Sequence, residues 1–401
     1  MSDQLVYLDH AATTSVFPQV IEAVAEQRAI VGNPSSLHTA GRAARRAVEE
    51  SREQIGSLVG ARPSEVVFTS GGTEADNLAV TGTYFSAQDA SGGRRRRLLV
   101  STLEHHAVLE AAEALERRSG AEVTLLECDG AGRVAPETLA AAIDADPESV
   151  ALASIMWANN EIGTIQPVAE LAAVAAERGV PLHTDAVQAV GHVPVDFTAS
   201  GATALSLTAH KLGGPVGVGA LLLKRDASLV PLTHGGGQER GVRSGTLDVA
   251  GIRGLSVALQ IAVDTLDAEL VRLVALRDRL IRGAMALDLG IRPGGDWVEG
   301  DATTRLPGNA HLLVPGCEGD SLLYLLDAAG IQCSTGSACT AGVPQPSHVL
   351  LATGLSDTEA RGALRFSLGH TTTETDVDAA LAALSAAVER ARRAGVATGR
   401  F

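Results

Sequence analysis

Seven short runs rich in leucine or β-branched residues alternate with alanine-rich amphipathic stretches between about residues 60 and 225. This alternation is typical of strands covered on both faces by helices, and therefore of a mainly parallel sheet. The stretch Val168–Glu177, for example, contains strong helix formers at helical spacing. The chain is thus predicted to have an α/β fold. Its seven predicted strands are 66–69, 98–101, 123–126, 150–156, 182–185, 204–208 and 219–223.

The pattern changes after residue 248. Residues 249–287 carry apolar side chains at three- and four-residue spacing, which predicts one long helix leading into a second domain. Beyond residue 290 the strand candidates are fewer, at 310–314 and 364–367, and two helices are predicted. A smaller α+β unit is therefore expected to follow the large α/β domain.

Charge and cysteine content exclude several classes of protein. The 401 residues carry 32 Lys+Arg against 47 Asp+Glu, and the net charge of −15 opposes attraction to nucleic acid or anionic lipid. The first residues lack the basic and apolar regions of a signal peptide, and no apolar run approaches the roughly 20 residues of a membrane span. We therefore expect a cytoplasmic protein with no nucleic-acid or membrane partner. Four cysteines without CxxC spacing are expected to be reduced thiols, and no metal site is expected.

A pair of glycines suggests a phosphate-binding turn. The segment 68–77 passes from a predicted strand through Gly71 and Gly72 into a helix predicted to begin near Thr73. Free N–H groups and the helix dipole at such a turn favour an anion. The segment has neither the Walker A lysine nor the Gly-x-Gly-x-x-Gly spacing of dinucleotide sites. Taken alone, it is equally compatible with a plain strand-to-helix turn.

Two charged residues follow the ends of later strands. Asp185 ends the strand 182–185, at the sheet edge where α/β proteins bind ligands, although an aspartate there could instead cap the next helix. Lys211 follows the strand 204–208 among small residues and a glycine pair, which would let a flat ligand approach. The alternative is an exposed lysine lying along the surface, but it leaves those small residues unexplained.

Considered together, the three features predict a cofactor site. A phosphate cradle, a carboxylate for a protonated ring nitrogen and a lysine for an imine are the parts that hold pyridoxal phosphate (PLP). Their order on successive sheet ends favours this reading over the separate alternatives.

A series of motifs, in order from residue 7 to about 370, resembles the PLP-dependent cysteine desulfurases of the NifS/IscS type, within the class V aminotransferase-like proteins. The stretch from Cys339 to His348 matches their longer active-site loop rather than the short loop of the SufS-like group. The motifs are YLDHAATT (7–14), GNPS (32–35), TSGGTE (69–74), EH (104–105), NNEIG (159–163), HTDAVQ (183–188), SLTAHKLGGP (206–215), HGGGQER (234–240), RSGT (243–246), STGSACT (334–340) and RFSLG (365–369).

The resemblance implies a homodimer of PLP fold-type I, with a seven-stranded large PLP-binding domain at 15–260 and a small domain formed by 1–14 with 261–401. Lys211 would bind PLP covalently and move protons, while His105 would stack on the ring. The resemblance assigns the other cofactor contacts to Gly72, Thr73, Thr208 and His210 at the phosphate, Asp185 at the ring nitrogen, Gln188 at the ring oxygen, and Thr246 reaching the site of the other subunit. It assigns the substrate carboxylate to Arg365, helped by Asn33 and Asn160. The neighbouring histidines His106 and His183 are expected to be a surface or packing residue and a core residue.

Cys339 lies in a run of small residues, 334–344, with no bulky side chain to fix it in a core. That composition predicts a mobile loop, on which a thiolate could attack the sulfur of bound cysteine and leave as a persulfide. Cys128 and Cys333, in apolar surroundings, are expected to be small buried hydrophobes, and Cys317 an exposed or half-buried turn residue.

The resemblance thus implies an enzyme that converts L-cysteine to L-alanine and passes the sulfur, by way of Cys339, to an acceptor or iron–sulfur scaffold protein. A class V transaminase or a selenocysteine lyase would share the PLP residues without the same need for Cys339. A scaffold that binds assembly partners and has lost catalysis is a third reading, which the intact Lys211, Asp185, Arg365 and Cys339 oppose.

Overall fold

The computed structural model describes residues 5–336 and 346–397. The strands are β1 (Val6–Tyr7), β2 (Val66–Thr69), β3 (Arg97–Ser101), β4 (Glu122–Leu126), β5 (Val150–Ser154), β6 (Leu182–Asp185), β7 (Ala204–Thr208), β8 (Gly219–Leu223), β9 (Arg292–Pro293), β10 (Asn309–Leu313), β11 (Ile331–Gln332) and β12 (Ala363–Ser367). The helices are α1 (Pro18–Arg28), α2 (Thr39–Leu58), α3 (Gly72–Ser91), α4 (His106–Ser119), α5 (Pro136–Asp144), α6 (Val168–Glu177), α7 (Phe197–Ser200), α8 (Val249–Asp264), α9 (Leu266–Met285), α10 (Gly319–Asp327), α11 (His348–Ala352), α12 (Asp357–Arg361) and α13 (Glu374–Ala397).

The central sheet has seven strands in the order β2-β8-β7-β6-β5-β3-β4. Its pairs are parallel except that β8 runs antiparallel to both β2 and β7. These are the seven strands predicted from the sequence, which confirms the α/β fold class. The predicted strand 150–156 ends early, at Ser154, because the chain then turns and the N–H of Met156 donates to a carboxylate of the site described below.

The C-terminal part forms a three-stranded antiparallel sheet in the order β12-β10-β9, and β1 pairs with β11 in a separate parallel ribbon. Strands β10 and β12 were predicted. The strands β1, β9 and β11 were missed because two residues are too few to show a period. The short helices α11 and α12, of five residues each, were missed for the same reason.

The prediction of one helix over 249–287 is wrong. The chain forms α8 and α9, bent by 70° around Thr265, whose N–H and hydroxyl both bond to Ile261 O. Leu255 of α8 packs into the core beneath the seven-stranded sheet, whereas Leu280 of α9 packs into the core of the C-terminal sheet. A straight helix would not direct its apolar face to both cores. The bend allows α8 to pack against one core and α9 against the other.

The N-terminal residues Val6 and Leu8 are buried with α9, β10 and β12 in the second core. Arg365 and Lys211, on different parts of the chain, both reach the N-terminal segment 9–12. Within the described residues, no single helix has the length and apolar composition of a membrane span. The helices α8 and α9 pass that test only as a bent pair, and α8 is largely buried.

Three of the four cysteines lie in the described residues. Cys333 is buried as expected, and burial raises the pKa of its thiol to about 12. Cys317 is also buried, which corrects the expectation of an exposed or half-buried residue: its turn lies under α13, with the sulfur 3.9 Å from Val388 O. Cys128 is only half-buried, and its thiol donates to Ala352 O at 3.5 Å. Cys339 lies in 337–345, outside the described residues.

Candidate active site

The C-terminal ends of β6 and β7, the start of α3 and strand β12 meet around a cavity of about 400 Å³. Parallel strands direct their carboxyl ends to one edge of the sheet, which explains why residues distant in sequence converge there. A cavity of about 600 Å³ elsewhere, between Trp157, Pro194 and Leu266, is lined mainly by apolar residues and by no lysine, arginine or histidine. Of these two cavities, the smaller one therefore carries the charged and titratable side chains that a reaction needs. The predicted site residues that line it are Gly72, Thr73, His105, Asn160, Asp185, Gln188, Thr208, His210, Lys211 and Arg365.

Residues 70–73 at the start of α3, here called the phosphate seat, can hold an anion. Gly71 is the N-cap and provides no side-chain cap. Among the described residues, the first N–H of this helix that meets an acceptor is that of Ala75, which donates to Gly71 O at 3.2 Å. The N–H groups of Gly72 and Thr73 are thus left for a ligand. A Cβ on Gly72 would lie 2.7 Å from Cγ2 of Val187, so the seat has no room for a side chain there.

Asp185 is a buried carboxylate at the end of β6. Its Oδ1 accepts the N–H of Val187 at 2.8 Å. Burial raises the pKa of Asp185 to about 6, although the Val187 hydrogen bond and Lys211 oppose the shift. A buried carboxylate of this kind is stabilised by a cationic partner, such as a protonated ring nitrogen.

Lys211 follows β7 and the short turn Ala209–Lys211. Its Nζ donates to Ala11 O at 2.5 Å and to Ala12 O at 2.7 Å, and no carboxylate pairs with it among the described side chains. Burial, and then the charge of Arg365, lower the pKa of Lys211 to about 8. A sizeable fraction of the amine is therefore neutral near pH 7 to 8, which is the form that attacks a carbonyl.

Several other cavity residues are held in place by hydrogen bonds. His105 caps α4, its Nδ1 accepting the N–H of Ala107 at 3.1 Å, and burial followed by Lys211 lowers the pKa of the imidazole to about 4. The side chain of Gln188 donates to Ala11 O at 2.9 Å. Thr208 Oγ1 donates to Val218 O at 3.2 Å, and His210 Nδ1 lies 3.3 Å from Thr13 Oγ1. His105 is thus a neutral ring on one wall of the cavity.

Arg365 on β12 is buried and lines the cavity. Nη1 donates to Asn160 O at 2.9 Å and Nη2 to Asp9 Oδ1 at 2.8 Å. The buried Nε has no hydrogen-bond partner among the described residues. An unpaired buried donor of this kind is costly unless a ligand satisfies it, and a carboxylate is the best partner for a guanidinium.

Among the described residues, two predicted site residues do not line the cavity. Asn33 is exposed, and its Oδ1 accepts the N–H of Ser35 at 2.9 Å. Thr246 is exposed on the loop after Gly245. The structure of one chain therefore gives neither residue a contact in its own site.

Three buried carboxyl groups line the same cavity but were not singled out from the sequence: Asp76, Glu104 and Glu161. Glu104 Oε1 accepts the N–H of Met156 at 2.6 Å, its Oε2 has no partner among the described residues, and burial raises the pKa of this carboxyl. Ser347 donates to Glu161 Oε2 at 2.5 Å. Each lies in a stretch quoted from the sequence, Asp76 in 68–77, Glu104 in EH and Glu161 in NNEIG, but none was assigned a role there.

The two neighbouring histidines have separate surroundings. His183 is fully buried between Ser154 Oγ at 2.9 Å and Ser206 Oγ at 3.0 Å, as expected for a core residue, and burial lowers its pKa to about 3. His106, expected to be a surface or packing residue, packs its ring against His348 and in addition lines the cavity.

These residues fit pyridoxal phosphate. The seat leaves two N–H groups for a phosphate, Asp185 provides a buried anion for a ring nitrogen, and Lys211 provides an amine of lowered pKa. One cavity brings all three together.

The chain is similar to known proteins over nearly its full length. The Aminotransferase class-V family model matches residues 6–380. An IscS-like cysteine desulfurase of Mycobacterium tuberculosis is 56% identical over 393 residues, which is 98% of each chain. A cysteine desulfurase IscS of Dictyoglomus turgidum is 43% identical over 96% of this chain and 95% of its own. Among solved structures, a NifS-like protein has a TM-score of 0.85 at 34% identity, covering 96% of this chain and 100% of its own.

A second solved structure, of SspA in complex with cysteine, has a TM-score of 0.77 at 34% identity and covers 90% of this chain and 98% of its own. The family match spans both the seven-stranded sheet and the C-terminal unit. On these similarities and on the geometry of its cavity, the chain belongs to the class V aminotransferase family.

Proposed function

We propose that this protein is a PLP-dependent cysteine desulfurase, which converts L-cysteine to L-alanine and takes the sulfur onto Cys339 as a persulfide. The observation that carries the proposal is the cavity in which Lys211, Asp185, Arg365 and the phosphate seat converge. The similarity to cysteine desulfurases over almost the whole chain supports the same activity.

The cofactor would be held by residues that already face the cavity. Asp185 would pair with the ring nitrogen, Gln188 would bond the ring oxygen, and His105 would lie against the ring. When bound, PLP supplies the electron sink that makes the Cα proton of an amino acid removable. The proposed phosphate contacts are Gly72, Thr73, Thr208 and His210.

Arg365 would bind the substrate carboxylate. Arg365 lines the cavity, and the bond of Nη1 to Asn160 O holds its guanidinium in place there. The carboxylate of Asp9 accepts from Nη2 and neutralises the buried cation in the absence of substrate. A carboxylate would thus complete the hydrogen bonding of a group that is already in place.

Proton transfer would be carried out by Lys211. With a pKa lowered to about 8, its amine can accept the Cα proton of the substrate and return it to the carbon product. The carbonyls of Ala11 and Ala12 accept hydrogen bonds from Nζ and keep the lysine inside the cavity during this exchange. His105 is neutral near pH 7, since burial lowers its pKa to about 4, and its Nδ1 accepts the N–H of Ala107, so Nε2 carries the hydrogen and can donate a hydrogen bond.

Sulfur transfer requires a nucleophile, which we assign to Cys339. Its thiolate attacks the substrate sulfur, the carbon–sulfur bond breaks with its electron pair on the carbon side, and the sulfur remains on Cys339 as a persulfide. Protonation of the carbon then releases alanine. The described residues flanking 337–345 support this assignment, because Ser334 and Gly336 on one side and His348 on the other line the cavity.

We further propose a cytoplasmic homodimer with shared sites. Thr246 is exposed and outside the cavity of its own chain, as expected of a residue that completes the partner's phosphate contacts. The large domain would span 15–260, and 1–14 with 261–401 would form the small domain, a division supported by the separate hydrophobic cores. Sulfur would pass from Cys339 to an acceptor or iron–sulfur scaffold protein.

The proposed activity is tested by incubating the purified protein with L-cysteine under reducing conditions and measuring alanine and sulfide. We expect equal amounts of both. Lys211→Ala serves as the control and should form neither, because it lacks the amine that moves the proton. Consumption of cysteine to the corresponding 2-oxo acid, without alanine or sulfide, would indicate a transaminase, and no turnover by the wild-type protein would contradict the proposal.

A further inference from the structure

Residues 234–246, here called the glycine-rich loop, contain five glycines in thirteen residues, yet the loop holds a strained conformation. Two of its non-glycine residues, Glu239 (φ 47°) and Arg240 (φ 59°), lie in the left-handed region. Side chains disfavour that region, so it persists only where surrounding contacts impose it. A loop so rich in glycine must therefore be fixed from outside.

The first fixing contact is a buried ion pair. The carboxylate of Glu239 accepts two hydrogen bonds from Arg52, at 2.8 and 2.7 Å, and a third from the N–H of Phe68 at 2.8 Å. Arg52 also donates to Val66 O and lies over the ring of Phe68, 4.6 Å from its centroid. Phe68 belongs to β2, which is an edge strand of the central sheet. The Glu239 carboxylate therefore accepts a backbone N–H that has no partner strand on that side.

The second contact joins the loop to the start of α3. Arg243 Nε donates to Glu74 Oε1 at 2.8 Å, and Glu74 Oε2 accepts the N–H of Ser70 at 2.6 Å. Burial opposes ionisation of Glu74, but the hydrogen bonds from Arg243 and Ser70 outweigh it and lower the pKa of its carboxyl. Ser70 is the first residue of the phosphate seat. Glu74 therefore links the glycine-rich loop to the backbone of the seat.

We propose that the pairs Arg52–Glu239 and Arg243–Glu74 are positioning contacts that fix the glycine-rich loop to the phosphate seat and thereby retain PLP. The first pair holds the strand that enters the seat, and the second holds the turn itself. The loop also carries Thr246, so the same contacts set how that hydroxyl is presented to a partner subunit. This inference rests on the proposed function, since it assumes that the seat binds the phosphate of PLP.

The test is the rate at which the PLP-loaded enzyme loses its cofactor to an excess of a PLP-trapping protein, followed by absorbance. Arg243→Gln should raise the rate constant for PLP loss about tenfold, because it removes a charge-assisted bond from the seat. Arg243→Lys should recover part of the loss. The matched control is Arg178→Gln, which breaks the Arg178–Asp144 pair away from the cavity and should leave PLP loss within twofold of wild type.

Glu239→Gln tests the first pair. It preserves an acceptor for the Phe68 N–H but removes the charge opposite Arg52, and PLP loss should again become faster. A merely structural role would lower the unfolding temperatures of the PLP-free and PLP-loaded proteins equally. A positioning role predicts that Arg243→Gln reduces the extra stability that PLP confers.

The inference would be overturned if Arg243→Gln lost PLP at a rate within twofold of wild type and PLP stabilised this variant as much as it stabilises wild type. The outcomes remain distinguishable from failure of the proposed function. A wild-type protein that retains no PLP contradicts the function itself, whereas a wild-type protein that retains PLP and desulfurates cysteine, with no effect of these variants, contradicts only the positioning role.

Discussion

The close packing of Gly72 against Val187 in the phosphate seat predicts how an added methyl group would affect PLP binding. Replacing Gly72 with alanine would place its Cβ 2.7 Å from Val187 Cγ2, whereas carbon atoms in contact are normally about 3.5–4.0 Å apart. The overlap approaches 1 Å, and overpacking of this kind costs about 1–3 kcal/mol. We expect the unloaded variant to relieve this overlap by a shift of the turn away from Val187.

Binding PLP would require the turn to move back to the conformation seen here. The free-energy cost of the overlap should therefore lower the affinity for PLP. At about 1.4 kcal/mol per tenfold change, Gly72→Ala should raise the dissociation constant for PLP roughly 5- to 150-fold. The assay is titration of the PLP-free protein with PLP, followed by absorbance. Val187→Ala removes the methyl group responsible and should restore most of the affinity, with its own effect subtracted in a double-mutant cycle.

Gly71→Ala is the matched control, because a Cβ there meets only Thr208 Oγ1, at 3.9 Å, but the backbone has φ 148°. That conformation is nearly exclusive to glycine, so the variant should also lose affinity, without rescue by Val187→Ala. Unchanged affinity in Gly72→Ala, or equal rescue of both glycine variants, would refute the steric reasoning.

Three further outcomes are expected. Since the pKa of Lys211 is lowered to about 8, the neutral fraction of its amine rises nearly tenfold per pH unit below that value. The rate at which the cofactor-free protein captures PLP should therefore increase from pH 6 to 8 and level off above pH 8. A rate that does not change with pH would exclude Lys211 as the capturing amine. Arg365→Lys should raise the KM for cysteine about tenfold or more with a smaller change in kcat, because an ammonium group cannot make the two parallel hydrogen bonds of a guanidinium. An unchanged KM would argue against binding of the substrate carboxylate at Arg365. Sedimentation should show a homodimer, and mixing inactive Lys211→Ala with Thr246→Ala subunits should give dimers that have one intact site; a fully active monomer would contradict shared sites.

The sequence predicted the central sheet because each of its seven strands is a short apolar run bounded by helical pattern or turn residues. The bend at Thr265 was not predictable from the same periodicity. Both α8 and α9 carry apolar residues at helical spacing, and only the separate cores that they pack against require the change of direction. Strand β9, of two residues, depends on its pairing with β10 rather than on any local pattern.

The candidate site was predicted best where a residue follows a strand end, as for Asp185 and Lys211, because the parallel sheet itself brings those ends together. Asp76 and Glu161 lie in quoted stretches but were assigned no role. Asp76 lies on α3, and its nearness to His183, 3.6 Å away, depends on how that helix packs on the sheet. The bonds from Lys211 to Ala11 and Ala12 likewise join residues that are 200 and 199 positions apart, and they have no sequence signal beyond the resemblance.

The central claim is that Cys339 receives the sulfur of L-cysteine, and intact-protein and peptide mass spectrometry after a brief pulse of L-cysteine tests it most directly. We predict one additional sulfur atom, about 32 Da, on the peptide containing Cys339, because the other three thiols are buried or half-buried and the pKa values of all three are raised. Cys339→Ser should still bind PLP but carry no extra sulfur and release no sulfide. Extra sulfur on Cys128, Cys317 or Cys333, together with full activity of Cys339→Ser, would contradict the claim.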